Sequence, residues 1–64
     1  MNATVSHRGS ATTVVVVEEI PQDATDDAVL ESALVAARET RSSLFGWVVN
    51  RNGSPTATVD LWTD

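Results

Sequence analysis

The chain contains no lysine, no cysteine and no tyrosine; its positive charge rests on four arginines, and it has a single histidine. Without cysteine, neither a disulfide nor a thiolate metal site can staple the fold, and the mark of an oxidising compartment is missing, which favours the cytosol. Apolar runs are also short. Val14 to Val17 and Ala33 to Ala37 both fall far below the ~20 residues that a membrane-spanning helix needs. The opening MNATVSHRGSATT has no apolar centre of the kind a secretory signal carries. The expectation is a soluble, cytoplasmic protein with no membrane association. Lysine and arginine clusters are absent and the net charge is −5, which argues against direct binding to DNA, RNA or anionic lipid. At 64 residues the whole chain makes one domain, near the lower limit of chains that fold alone. A core of that size leaves little surplus stability for a strained active site.

What is present is acid, and it is concentrated. Residues 1–17 carry +1, from Arg8, whereas residues 18–31 (EEIPQDATDDAVLE) carry −6 and no positive charge. The remainder balances, with Arg38, Arg41 and Arg51 against Glu39, Asp60 and Asp64. All the excess charge therefore sits in one short stretch.

The pattern predicts an α+β domain, with an antiparallel sheet of three to four strands and one helix packed on one face. The β-branched run TTVVVVEEI (residues 12–20) reads as a strand ended by Pro21. Its valines fall on both faces, as in a strand covered on both sides or buried in an oligomer. Residues 1–10 read as a frayed arm or a short edge strand with a turn at Arg8-Gly9. A helix follows Pro21, with Asp23 or Thr25 as the N-cap. At about 100° per residue, Val29, Leu30, Ala33, Leu34, Ala36 and Ala37 share an arc of about 160°. Asp27, Glu31, Arg38 and Glu39 lie opposite, with Val35 the one apolar residue among them. NRNGSP between two strand-like runs marks a hairpin. A two- or four-residue loop centred on Gly53-Ser54 sets Arg51 opposite Thr56, Val49 opposite Thr58, Trp47 opposite Asp60 and Phe45 opposite Trp62. That register turns Gly46, Val48, Ala57, Val59 and Leu61 toward the helix. It gathers Phe45, Trp47, Val49, Thr58, Asp60 and Trp62 on the other face.

Catalysis finds little support. Nucleophilic chemistry needs a base, and His7 lies in the segment expected to be least ordered. Asp23 and Asp27 occupy positions one and five of a calcium-loop spacing, but position six is Ala28 instead of glycine and position twelve is Leu34 instead of glutamate. No metal or cofactor is expected, and the protein is not read as an enzyme. The acidic residues admit two readings. Asp26 and Asp27 stabilise a first helical turn, and Glu18 and Glu19 solubilise a strand end. Asp27 and Glu31, however, repel at i and i+4, and no nearby base offsets the rest. The second reading is an acidic face that steers a basic partner, formed by Glu18, Glu19, Asp23, Asp26, Asp27 and Glu31. Trp47 and Trp62, with Phe45, likewise read either as a second small core or as an interface anchor.

In size, local acidic excess and coarse pattern the chain resembles the small phage-encoded anti-CRISPR proteins that inhibit type I CRISPR complexes. That resemblance implies a non-enzymatic inhibitor acting in the cytoplasm of a bacterial host. It would mimic DNA and occupy a basic nucleic-acid-binding groove of a protein partner, such as a type I CRISPR effector complex. The alternative is a structural or assembly module that oligomerises through an aromatic sheet face. Both monomer and homodimer remain open.

Overall fold

The computed structural model describes residues 1–51, 53 and 55–63. Four strands and one helix follow in the order β1 (Asn2–Arg8), β2 (Thr12–Glu18), α1 (Asp26–Ala37), β3 (Gly46–Arg51) and β4 (Ala57–Trp62), with a 3-10 turn at Arg41–Ser43. The strands form one antiparallel sheet in the order β1-β2-β4-β3. The two strands with alternately buried residues, β2 and β4, are thus central, and the two strands richest in polar or glycine residues lie at the edges.

Alternation along β2 fixes the core face. Thr13, Val15 and Val17 are buried there and pair with Leu61, Val59 and Ala57 of β4. Val29, Leu30, Ala33 and Leu34 of α1 cover them, and Ile20 closes one end. Ala36 and Ala37 pack beside this core, so the helical arc lies where the 3.6-residue period put it. The small alanine side chains let the helix approach the sheet closely. Val35 points to solvent, 77% exposed.

The helix ends are built locally. Thr25 is the N-cap: its hydroxyl accepts from the Ala28 amide at 3.2 Å. At the other end Arg38 adopts the left-handed conformation, φ 60° and ψ 42°, and the Glu39 amide returns to the Leu34 carbonyl at 3.0 Å. These bonds satisfy carbonyls that a helix terminus otherwise leaves open.

Two expectations need correction. The N-terminal segment is an edge strand followed by a turn at Gly9, as one of the two readings had it, but it is neither frayed nor short: its seven residues pair without interruption from Asn2↔Glu18 to Arg8↔Thr12. The second hairpin is shifted by one residue: Trp47 faces Leu61, Val49 faces Val59 and Arg51 faces Ala57. That pairing leaves an odd number of positions between Arg51 and Ala57, so β3 is turned over relative to the expected register. In the loop the Thr56 amide donates to the Gly53 carbonyl at 2.9 Å, and Gly53 has φ 103°. Asn52 and Ser54 of the expected turn lie outside the described residues. β4 keeps Ala57, Val59 and Leu61 on the helix side as expected; β3 instead presents Trp47, Val49 and Arg51 there and turns Gly46 and Val48 away.

The second face of the sheet carries Thr12, Val14 and Val16 of β2 with Thr58, Asp60 and Trp62 of β4, flanked by Thr4, Ser6 and Val48. No element of the described chain packs over it. The apolar residues on both sides of β2 are therefore covered on one side only within the chain.

Candidate functional site

The exit of β2 and the entry of α1 lie at one end of the sheet, because a single short connection, residues 19–25, joins them. All six carboxylates of the acidic stretch, Glu18, Glu19, Asp23, Asp26, Asp27 and Glu31, are exposed there or one turn further along α1. Glu18 ends β2 beside Asn2 of β1. Glu19 is held in a positive-φ conformation, φ 56°, and its carboxylate accepts from the Asn2 amide nitrogen at 3.3 Å. The Ile20 amide bonds the Pro55 carbonyl at 3.0 Å, fixing this exit against the β3–β4 loop. Asp26 and Asp27 open the helix, where free amides and the helix dipole favour negative charge.

The fold also brings cations to the acids, which the linear order did not suggest. Arg51, at the end of β3, reaches Asp26 at 3.1 Å and donates to the Ala24 carbonyl at 3.3 Å. Arg41 bridges two carboxylates, Glu31 at 3.0 Å and Asp27 at 3.5 Å. That bridge offsets the i,i+4 repulsion between them and orients both. The acidic stretch with these two arginines still totals −4, that is −6 + 2. Glu18, Glu19 and Asp23 make no ion pair among the described residues. Arg41 also lies 5.9 Å from the Trp47 ring centre, within cation–π reach.

The three aromatic residues do not share a face. Trp47 is on the helix side, 39% exposed. Trp62 is on the uncovered side, partly buried, and its ring lies 3.9 Å from where a Cβ on Gly46 would stand. Phe45 precedes β3 and is exposed, its amide bonded to the Trp62 carbonyl at 2.8 Å. The single aromatic sheet face expected for an assembly module is therefore divided by the same one-residue slip. His7 sits in β1 with Nδ1 3.5 Å from the Thr13 hydroxyl. Among the described residues no pocket is present, and no group of His, Asp and Glu is arranged to hold a metal ion. Nor is any helix among them long and apolar enough to cross a membrane.

No protein-family model matches the chain, and neither a curated protein nor a solved structure matches it.

Proposed function

We propose that the protein is a non-enzymatic inhibitor that docks its acidic end, with the adjoining outer face of α1, into a basic groove of a protein partner. The carboxylates take the place of nucleic-acid phosphates. One observation carries this reading: the fold collects the six exposed carboxylates at the β2 exit and along the first turns of α1. Arg41 and Arg51 restrain the three on the helix from outside the stretch. A restrained array binds with a smaller loss of side-chain freedom than a mobile one, and the residual charge of the region attracts a basic surface over a distance. The resemblance noted from the sequence makes a type I CRISPR effector complex the target to try first.

The test is a competition measurement, in which a fluorescent target duplex is bound to a purified effector complex and displaced by added protein. Neutralising Asp23→Asn, Asp27→Asn and Glu31→Gln together should weaken displacement about tenfold or more. A control carrying Ser10→Lys, Ser42→Lys and Asn50→Lys makes the same change in net charge elsewhere and should stay close to the unsubstituted protein. Equal displacement by both triple variants would mean that the acids only cap and solubilise. No displacement by the unsubstituted protein would remove this complex as the target.

A further inference from the structure

We infer that β1 is a docking edge for a second copy of this chain, and that two copies join through antiparallel β1–β1 pairing into one eight-stranded sheet. An edge strand presents a row of free backbone donors and acceptors, and folded proteins usually blunt such edges with proline, lysine, inward charge or a bulge. β1 has none of these. It is seven residues long, its pairing with β2 is uninterrupted, and its only charged side chain, Arg8, stands at one end. β3, the opposite edge, is flanked by Arg41 over Trp47 and by the Arg51–Asp26 bridge.

Two-fold antiparallel pairing must centre on a residue, because equivalent residues then face each other across the axis. Centring on Val5 overlaps the whole strand. It sets Val5 against Val5 of the second copy, Thr4 against Ser6, Ala3 against His7 and Asn2 against Arg8. Val5 lies on the helix side yet is 37% exposed at the outer margin of the core. Pairing at the axis would cover that apolar surface twice. No like charges meet in this register.

Charge complementarity selects the antiparallel arrangement. One end of each sheet carries Glu18 and Glu19 beside Asn2, and the other end carries Arg8. The two-fold lays the basic end of each copy on the acidic end of the other. Arg8 has the length for this: within its own chain it already spans β2 to come within 3.8 Å of Asp60 on β4. The same reach outward crosses β1 of the second copy to Glu18. Asp23 and the helix acids Asp26, Asp27 and Glu31 take no part; Glu18 and Glu19 are shared with the acidic face, so the inference is tested first at Val5 and Arg8, which that reading does not use. Both helices come to lie on the same side of the joined sheet.

Sedimentation of the full chain over concentrations up to ~1 mM tests this, a range that covers weak self-association. The expected result is a concentration-dependent shift from 6.8 kDa toward twice that mass. Val5→Asp, which sets like charges together at the axis, and Arg8→Glu should each raise the dissociation constant about tenfold or more. Glu18→Arg with Glu19→Arg should do the same. Combining these with Arg8→Glu should return the constant to near the original value, a rescue that a merely misfolded variant would not show. A monomer at every concentration overturns the inference. So does a dimer indifferent to Arg8→Glu, or a combined variant no tighter than its parents while circular dichroism shows all of them folded.

Discussion

Arg51 Nη1 lies 3.1 Å from Asp26 Oδ1, tying the last residue of β3 to the first residue of α1 across the end of the sheet. The same nitrogen donates to the Ala24 carbonyl at 3.3 Å. A strand edge and a helix start far apart in sequence are thus locked together beside the acidic stretch. Both side chains keep substantial contact with water, so the tie orients more than it stabilises.

Arg51→Ala is expected to lower stability by only about 0–1 kcal/mol, the usual range for an exposed ion pair. It removes a positive charge from the acidic end while freeing Asp26, two opposed effects on docking, so binding to a basic partner should stay within about a few-fold of the parent. Thermal unfolding and the competition measurement check the two halves separately. A loss of binding in a folded Arg51→Ala protein would mean that the restraint of Asp26, or a direct contact of Arg51, outweighs the added negative charge.

Leu34→Ala should cost roughly 2–5 kcal/mol, since Leu34 is buried in the helix–sheet core and its truncation leaves a cavity. For a domain this small, that is most of its net stability. Val35→Ala, one residue on, should change stability by no more than about 0.5 kcal/mol, because Val35 is largely exposed. Denaturant midpoints of the pair report whether the helix is oriented as described.

The two candidate caps separate in the same way. Thr25→Ala removes the hydroxyl that accepts from Ala28 and should cost about 1 kcal/mol. Asp23→Ala should leave the helix unchanged and alter only the charge of the region. A larger helix loss in the Asp23 variant, read by far-ultraviolet circular dichroism, would move the cap upstream.

The helix was legible because its signal is local. Val29, Leu30, Ala33 and Leu34 recur at the helical period, and burial of that stripe is the main force on the segment. The β-branched run of β2 and the turn signal NRNGSP between two strand-like runs likewise announce strands, and the fold class followed from these elements. β1 was harder, since NATVSHR mixes polar and apolar residues and its regularity comes from pairing with β2. The acidic residues could be read as a group, but their arginine partners could not. Glu31 and Arg41 are ten residues apart and meet where the chain turns back after α1, whereas Asp26 and Arg51 are twenty-five apart and meet only once β3 has joined the sheet. The aromatic face failed for a single reason: one residue more or less in a loop reverses every side chain of the strand it feeds.

That reversal can be tested with one isosteric change at two neighbouring positions. Val49 packs against the core opposite Val59, whereas Val48 faces away from the helix opposite Asp60 and is 50% exposed. Val→Thr keeps the branched shape and the strand preference, so it isolates the cost of placing a hydroxyl on either face. At Val49 the hydroxyl enters apolar surroundings and should cost roughly 1–3 kcal/mol. At Val48 it meets water and the Asp60 side of the sheet, and the change should stay within about 0.5 kcal/mol. The register expected from the turn sequence reverses the order, with Val48 inside and Val49 outside. Paired denaturant melts of Val48→Thr and Val49→Thr therefore decide the register. A costlier Val48→Thr would restore a single face for Trp47 and Trp62, and with it the aromatic assembly surface.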